Sequence, residues 1–538
     1  MKKIEISIEE FIEKNSKKII LCILAIAFIT RVIGLEQIPN AKHVDEAGIM
    51  YDAYCFANYG VDRYLYANPV YLTNFGGGQS VLYTILASVF VKIFGYQLFW
   101  VRIIAVLFSI LYLWIAYLIT SRWKNKTVAI LLSVLIAIVP FTFTQSRYAL
   151  DCNLLATFML LGTYLLLEAN KKWEYLVAGI LFGISIYTYI LSLLVLPIYM
   201  IGISTYLLYI RKAKISDIIC LAIPIILLAI PILLFLLYNA GIIETSHFLM
   251  FSFPKLFGFR AHEIAIKNIG PNIVAILKSI FAIKTQYFIG DDGNQIFGNY
   301  YYITGIFFVI GLVVSIKESF QHIREKKLDV HMVFFINLLS IIGLLLVESI
   351  VTYKMNSIVI SILYFSAIGI WFVMKKAKSL VVPIIMVYMI LFVAFQSFYF
   401  FFYKADKNIM YNSTISTVVQ YADEHFENNA IWGAFISFEP YIYQMVEHPI
   451  SPYDFYATCQ IDTGKIAQYG KYSFIYFDFD NIQEDKVYIF DRAHLAEGNY
   501  YQIAKQMLED KGFSMELYTL NTVEYEIYYK TRRELVEK

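Results

Sequence analysis

Two long apolar runs decide the fold class of this chain. Residues Ile104–Thr120 read IAVLFSILYLWIAYLIT, and residues Ile218–Leu237 read IICLAIPIILLAIPILLFLL, without one charged side chain. About 20 consecutive apolar residues are needed for a helix to cross the hydrocarbon core of a bilayer. The runs therefore predict membrane-spanning helices, and the chain is interpreted as a polytopic α-helical membrane protein.

The overall composition supports this interpretation and excludes several other classes. The chain has 538 residues, of which 59% are hydrophobic and 16% are charged, whereas soluble proteins average about 25% charged residues. A net charge of +2 without a basic stripe gives no indication of nucleic-acid binding. The five cysteines have no Cys-x-x-Cys spacing, so neither a zinc site nor a disulfide framework is indicated: Cys22, Cys55, Cys152, Cys220 and Cys459.

Clusters of basic residues predict the orientation of the spans. They lie at residues 2–18, 122–126, 171–172, 211–214, 317–327 and 375–378. Short basic loops face the cytoplasm, and keeping all of these clusters there requires about eleven spans. The predicted spans are 19–35, 99–120, 127–145, 153–169, 174–189, 191–210, 217–238, 300–316, 331–349, 357–374 and 379–402. The N-terminus is then cytoplasmic, and three long segments lie outside the cell membrane: 36–98, 239–299 and 403–538.

One apolar stretch, Gln79–Gly95, is left out of this path. Counting it as a span would place the basic cluster 122–126 outside and invert every later basic loop. A polar stripe of Ser80, Thr84, Ser88 and Lys92 follows a helical period, which is typical of an amphipathic helix at the interface. An ordinary hairpin of two spans remains the alternative.

The chain divides into two predicted domains. Residues 1–403 form a membrane domain, with outer loops at 36–98, 146–152 and 239–299. Residues 404–538 change in composition and predict a small extracytoplasmic α/β domain. Its predicted helices are Ser413–Phe426 and Ala496–Lys511, and its predicted strands are Ala430–Phe438, Tyr472–Phe479, Lys486–Phe490 and a pair within Glu516–Tyr529.

The predicted outer face carries a short list of acids and bases. They are Asp45, Glu46, Arg147, Asp151, Arg260, Asp291, Asp292 and Lys354. Charged groups at membrane depth are costly, so several from separate loops indicate a functional site. The alternative for each single residue is that it anchors a helix end by snorkelling.

Several of these residues occur in an order that resembles a known superfamily. The sequence has Pro39, then Asp45-Glu46-Ala47, then Phe94-Gly95 before Arg102, and Ser146–Asp151 reading SRYALD. This order is similar to the GT-C superfamily of membrane glycosyltransferases, in the branch of the protein O-mannosyltransferases and the lipid A aminoarabinose transferases. The pattern covers about the first 170 residues. Beyond it the likeness is mainly one of layout.

The resemblance implies transfer of one sugar from a polyprenyl-phosphate donor to an acceptor hydroxyl at the outer face, with inversion. Asp45 matches the general base of the family, and Glu46 would orient Asp45 or the acceptor. Arg147 is the first choice for binding the donor phosphate, and Arg260 and Lys354 are weaker choices. Asp151 would steer Arg147 or serve the acceptor side.

The match has two departures. Many relatives have a Lys-Pro-Pro-like stretch before the amphipathic helix, where this chain has residues Asn74–Gln79. Many also have a lysine where this chain has Tyr187–Tyr189. Both changes concern the contacts to the donor phosphate, and they leave the identity of the sugar open.

Three further alternatives remain open at this stage. A divalent metal held by His43, Asp45 and Glu46 is conceivable, but three ligands within four residues of a loop are not a specific pattern, and no metal ligand is assigned. A transporter or flippase of lipid-linked saccharides would place acids in mid-span and show inverted repeats. A glycan ligase or polymerase would differ only in its donor. The acceptor, whether glycan, lipid or protein, is not defined by the sequence.

Overall fold

The structure is a computed structural model. It describes residues 8–259, 263–281, 296–348, 350–402, 411–412, 414–426, 430–435, 438–462, 465–474, 477–495 and 499–531. Arg260, Asp291 and Asp292 therefore lie outside the described residues, as does the predicted domain boundary at residues 403–404, which remains a prediction.

The membrane part of the chain is built almost wholly from helices. They are α1 (Ile8–Val32), α2 (Val44–Tyr59), α3 (Leu82–Phe94), α4 (Leu98–Trp123), α5 (Lys126–Ile138), α6 (Pro140–Gln145), α7 (Leu155–Glu168), α8 (Lys172–Ser185), α9 (Ser192–Tyr209), α10 (Ile215–Asn239), α11 (Ile269–Phe281), α12 (Tyr302–Arg324), α13 (Val330–Leu339), α14 (Val359–Lys376) and α15 (Val381–Phe401). Short strand pairs interrupt the outer segments: β1 (Lys42–His43), β2 (Tyr71–Leu72), β3 (Gln79–Ser80), β4 (His247–Phe248) and β5 (Phe251–Ser252).

Every predicted span coincides with a helix or with two helices in series. Seven helical segments of the described residues are long and apolar enough to cross a membrane: Leu98–Trp123, Asp151–Glu168, Ser192–Tyr209, Ile215–Asn239, Tyr302–Arg324, Thr352–Lys376 and Lys378–Phe401. The other predicted spans fall on α1, which carries charges, and on the shorter helices α5, α8 and α13. The number of eleven spans stays a prediction.

Close packing of the spans depends on small residues. Gly311 of α12 and Gly369 of α14 lie against each other, where an added Cβ on either would collide with backbone of the other helix. Small residues at such crossings let two helix backbones approach closely in a membrane. The pair α12–α14 thereby forms one wall of the membrane core.

The first outer segment contains two helices. The stretch predicted to be amphipathic forms α3, whose 13 residues extend about 20 Å at 1.5 Å per residue, less than the roughly 30 Å of a hydrocarbon core. Ile85, Val89 and Ile93 are exposed along one side. This length fits the interfacial interpretation better than a span.

The helix α2 was not predicted. It begins after His43, whose side chain caps it, and ends at Gly60, which adopts φ 74°. A left-handed glycine is the usual residue just after a helix C-terminus. Because α2 starts at Val44, Asp45 and Glu46 both lie in its first turn.

The C-terminal residues form an α/β domain, as predicted. Its helices are α16 (Ile415–His425), α17 (Tyr441–Glu447), α18 (Pro452–Thr458), α19 (Arg492–Leu495) and α20 (Asn499–Asp510). Its strands are β6 (Tyr411–Asn412), β7 (Ala430–Ala434), β8 (Gln460–Asp462), β9 (Lys465–Tyr469), β10 (Tyr472–Ser473), β11 (Lys486–Asp491), β12 (Ser514–Leu520) and β13 (Val523–Tyr529). Seven of the strands form one mixed sheet in the order β12-β13-β11-β7-β10-β9-β8, with β7 parallel to both β10 and β11.

Candidate active site

The N-terminus of α2 holds Asp45 at the surface of the membrane domain. The backbone N–H of Asp45 donates to Nδ1 of His43 at 3.1 Å, which satisfies one of the open donors of the first turn. The side chain of Asp45 is 38% exposed, with its Oδ2 3.7 Å from the same His43 nitrogen. Asp45 is therefore an accessible carboxylate on a fixed backbone.

The neighbouring acid, Glu46, has the opposite environment. Its side chain is fully buried, and Arg102 of α4 donates to both of its oxygens, from Nε at 2.8 Å and from Nη2 at 2.7 Å. The backbone N–H of Ala149 donates to the same carboxylate at 2.8 Å. This burial keeps Glu46 from direct contact with an acceptor in this structure, and its predicted role of orienting Asp45 stays a prediction.

Arg102 connects the acid pair to the chain that leads into it. Beyond its bidentate pair with Glu46, it donates to the backbone carbonyls of Leu35, Pro39 and Ala41 at 2.9–3.3 Å. An arginine with all of its donors used in this way holds several segments in one geometry. The sequence pattern singled out Arg102 only as a marker of the helix junction.

Asp151 belongs to the second outer loop and lies near Asp45. It is 8% exposed and accepts hydrogen bonds from the backbone N–H groups of Ser80 at 3.1 Å and Cys152 at 2.8 Å. Its carboxylate is close enough to Asp45 for the two charges to repel. The structure thus brings two predicted site acids together from separate outer loops.

Arg147 does not face these acids, which corrects the prediction that it binds the donor phosphate. It is fully buried, and its two terminal nitrogens donate to the carbonyls of Thr30, Arg31, Gly34 and Ile38 at 2.7–3.2 Å. These carbonyls belong to the last turn of α1 and the residues just beyond it, where backbone carbonyls carry partial negative charge. Arg147 is a cap for α1, and its terminal donors are occupied.

The other two candidates for binding the donor phosphate are Lys354 and Arg260. Lys354 lies in the 3₁₀ helix Thr352–Ile358, with its Nζ 3.2 Å from the carbonyl of Glu348. That 3₁₀ helix is attached to the second outer loop through Asn356, whose Nδ2 donates to the carbonyl of Cys152 at 3.2 Å. Lys354 is therefore held on an element that contacts the site, whereas Arg260 lies outside the described residues.

Two tyrosines that the sequence analysis did not assign to the site also contact it. Tyr189 and Tyr353 pack against the cluster that contains Cys152 and Tyr148, and Tyr189 interacts electrostatically with Tyr353 and Asp151. The signal was the stretch Tyr187–Tyr189, which occupies the place where relatives have a lysine.

Two of the three side chains considered as metal ligands make other contacts. Both oxygens of Glu46 are taken by Arg102, and Nδ1 of His43 accepts from the backbone of Asp45. Across the part of the chain that the structure describes, no group of three His, Cys, Asp or Glu side chains is placed to hold a metal ion.

An apolar groove begins close to the site. It has a volume of about 350 Å³ and is lined by side chains of α9 and α10, and its walls are almost wholly aliphatic. Ile186 and Ser192, at one part of the groove, flank Tyr189 in sequence. The groove therefore offers an aliphatic surface between two predicted spans.

The C-terminal domain is docked on α2. Strand β6 pairs with β1 directly before Asp45, with His43 opposite Tyr411, and the rings of these two residues lie 4.9 Å apart. Arg63 forms a fully buried bidentate pair with Asp52 of α2 and donates to Tyr441 Oη at 3.0 Å. The domain thus contacts the helix that carries the candidate base.

Comparisons with known proteins agree with this architecture. The model of the YfdI N-terminal transmembrane domain family matches residues 29–252, which is less than half of the chain. No curated protein matches. Among solved structures, ArnT from Cupriavidus metallidurans in the apo state has a TM-score of 0.59 at 10% identity, covering 95% of this chain and 98% of that one.

Two further solved structures are similar. ArnT from the same organism bound to undecaprenyl phosphate has a TM-score of 0.58 at 10% identity, covering 94% of this chain and 97% of that one. The Archaeoglobus fulgidus oligosaccharyltransferase in complex with Zn and sulfate has a TM-score of 0.54 at 13% identity, covering 95% and 73%. At such identities the likeness concerns the fold, and the chain has the GT-C fold shared by ArnT and that oligosaccharyltransferase.

Proposed function

We propose that this protein is a membrane glycosyltransferase that transfers one sugar from a polyprenyl-phosphate donor to an acceptor hydroxyl at the outer face of the cell membrane. The observation that carries the proposal is the position of Asp45, an accessible carboxylate on the first turn of α2 beside the buried Asp151. The GT-C fold supports it. One solved relative of that fold is bound to undecaprenyl phosphate.

The reaction follows from the chemistry of such a donor. Asp45 takes the proton from the acceptor hydroxyl while the oxygen of that hydroxyl attacks the anomeric carbon. The bond between the anomeric carbon and the phosphate oxygen breaks, and polyprenyl phosphate leaves with the bonding electrons. Attack from the face opposite the leaving group inverts the anomeric centre. General-base catalysis of this kind contributes roughly 10²–10⁴-fold to the rate.

Asp151 would act on the acceptor side. Its backbone donors, Ser80 and Cys152, fix its position, and its charge repels that of Asp45. A proton or a hydroxyl shared between the two carboxylates relieves that repulsion, because two like charges held close cannot both be stabilised. An acceptor hydroxyl placed between the two carboxylates would therefore be held and activated by both.

The donor would be bound by its two ends. The apolar groove between α9 and α10 suits the polyprenyl tail, and a tail bound there would leave the phosphate near Tyr189. Lys354 supplies a cation from the neighbouring 3₁₀ helix, and the hydroxyls of Tyr189 and Tyr353 would supply hydrogen bonds to the phosphate. Preorganised donors of this kind stabilise the charge that develops on the leaving group.

The test is a donor panel with two readouts. Purified protein in liposomes is given polyprenyl-phosphate sugars and a membrane extract, and the release of polyprenyl phosphate and the anomeric configuration of the product are measured. Release with an inverted product is expected. Movement of the intact donor between leaflets without release would instead establish the transporter alternative, and release only from a pyrophosphate-linked oligosaccharide would establish the ligase or polymerase alternative.

A further inference from the structure

A partly open cavity with a mixed polar and apolar lining lies beside the second outer loop, at Gln145, Ser146 and Asn153. It has a volume of about 60 Å³ and is walled by side chains of α1, α4, α5, α6, α7 and α14 together with Asn356. Its polar lining includes Arg31, Ser109, Tyr112, Gln145 and Asn153. Such a concentration of polar groups inside a membrane domain indicates a ligand or water, since polar atoms without partners are costly there.

Arg31 is the charged group of this cavity. Its side chain is buried, with 1% exposure. Its Nη1 donates to the carbonyls of Ala27 and Ala137 at 3.3 and 3.2 Å, and its Nη2 donates to the carbonyl of Ile136 at 3.0 Å. Its Nε has no acceptor. The guanidinium is therefore held in place by backbone and keeps one unused donor.

The charge of Arg31 has no partner of opposite sign. None of the ion pairs between described residues includes Arg31, and the charged residue that acts on it is Arg147. Arg147 in turn lies near Arg102, which is neutralised by Glu46. Arg31 and Arg147 are therefore two neighbouring buried cations without a carboxylate partner among the described residues, and Arg31 is the one that lines the cavity.

A buried cation of this kind requires a counter-charge. Removing an unpaired ion from water is strongly unfavourable, and such ions in proteins are paired or bound to ligands. Arg31 cannot avoid this cost by losing a proton, because the guanidinium group of arginine stays protonated in proteins. The cavity offers the space that a counter-ion would need.

We propose that this cavity binds one small inorganic anion of the chloride class. A cavity needs roughly 10–15 Å³ per water by this measure, so about 60 Å³ holds an ion with a few waters. A monoanion balances the single charge of Arg31. Two donors are available to it, the Nε of Arg31 and the hydroxyl of Tyr112, neither of which has a partner among the described residues.

The remaining unpaired atom of the cavity fits the same arrangement. Oε1 of Gln145 is a buried acceptor without a donor, while its Nε2 is bonded to Asn153. A water next to the anion would donate to Oε1 of Gln145 and to the anion. One anion with its water thus satisfies all three open groups, whereas water alone leaves the charge of Arg31 unbalanced.

The test measures anion-dependent stability of the full chain in detergent micelles. The thermal midpoint is followed as sodium chloride replaces sodium gluconate at constant ionic strength, because gluconate is too large for the cavity. A saturable rise with chloride is expected, since a ligand that binds the folded state stabilises it by mass action. No difference between the two salts would overturn the proposal. This readout does not depend on sugar transfer.

Two variants assign the effect to this cavity. Tyr112→Phe removes one donor and should raise the half-saturating chloride concentration roughly three- to tenfold, as the loss of one hydrogen bond implies. Ser109→Leu fills the cavity from α4 and should abolish the response. Tyr117→Phe on the same helix, which does not line the cavity, is the control and should respond like the wild type.

A bromide soak of crystals locates the ion directly. An anomalous peak within hydrogen-bond distance of Arg31 Nε is expected. An unchanged chloride response in both Tyr112→Phe and Ser109→Leu, or a bromide peak only elsewhere, would show that the cavity holds water only and would overturn the proposal.

Discussion

The two buried arginine–carboxylate pairs of α2 face different parts of the molecule. Glu46 pairs with Arg102 of α4 on the membrane side, whereas Asp52 pairs with Arg63, which also contacts Tyr441 of the C-terminal domain. Both pairs are bidentate and almost fully buried. Asp45 is the acid of α2 that remains accessible, so the two pairs fix the helix and leave one carboxylate for chemistry.

Adjacent acids in a sequence can therefore have separate roles. Asp45 and Glu46 are neighbours, but a rotation of about 100° per residue places them on different sides of the helix. One side faces the core and the other faces the site.

Breaking the membrane-side pair should have the largest effect on stability. Glu46→Ala leaves Arg102 buried without a counter-charge, and we expect a loss of about 3–5 kcal/mol of unfolding free energy. Chemical denaturation of the purified protein measures it. Asp45→Ala is the matched control and should change stability by less than about 0.5 kcal/mol, as for an exposed side chain. Equal losses in both variants would contradict the division of roles.

Removing one hydrogen bond from Arg63, the partner of Asp52, should lower the unfolding free energy by less than Glu46→Ala does. Tyr441→Phe removes the hydroxyl that accepts from Arg63 Nη1, while Asp52 and Gly48 keep their bonds to the same guanidinium. A hydrogen bond to a charged group is worth about 1.5–3 kcal/mol. We expect a loss in that range by denaturation, with Tyr443→Phe as a control. A loss as large as that of Glu46→Ala would contradict the comparison.

The cap of α2 should respond to acid. Burial lowers the pKa of His43, against the opposing effect of Asp45 and Glu46. Below the usual pKa near 6.5, the unfolded chain binds a proton that the folded chain excludes, so this contribution to stability is lost as the pH falls toward the lowered pKa. His43→Asn retains a capping side chain without titrating.

The measurement is the thermal midpoint of both proteins between pH 7.5 and pH 5. A smaller acid-side decrease is expected for His43→Asn than for the wild type. Identical pH profiles would show that His43 does not titrate as part of the cap.

The smallest effect should come from the ion pair between the domains. Lys42 and Glu447 form an ion pair, but the Glu447 side chain is 47% exposed. Exposed pairs contribute about 0.2–1 kcal/mol, so Glu447→Gln should change the midpoint slightly, and less in high salt. A large change would show that the C-terminal domain depends on this contact for docking.

Much of the fold could be predicted from the sequence. Apolar runs located the long helices of the membrane part, because the length of an apolar run limits which segments can cross a bilayer. The orientation drawn from the basic loops stays a prediction. The α/β character of the C-terminal domain also followed from local patterns. The helix α2 did not, since residues Glu46–Ala53 are all buried and an all-round buried helix shows no amphipathic period.

The candidate site could be predicted only in part. The order of residues along the chain located Asp45 and Asp151 on one face, and the structure brings them together. The sequence alone could not show that Glu46 and Arg147 point inward, because the direction of a side chain depends on which segments pack against it. Arg147 lies beside the end of α1, and that tertiary contact leaves no local signal.

The most direct test of the account compares turnover and donor binding in Asp45→Asn. At a saturating polyprenyl-phosphate sugar, the variant should bind the donor like the wild type and keep its thermal midpoint, while release of polyprenyl phosphate falls by roughly 10²–10⁴-fold. Asp510→Asn, an exposed acid of the C-terminal domain, is the control and should retain full turnover. Wild-type turnover in Asp45→Asn would contradict the central claim that Asp45 is the base.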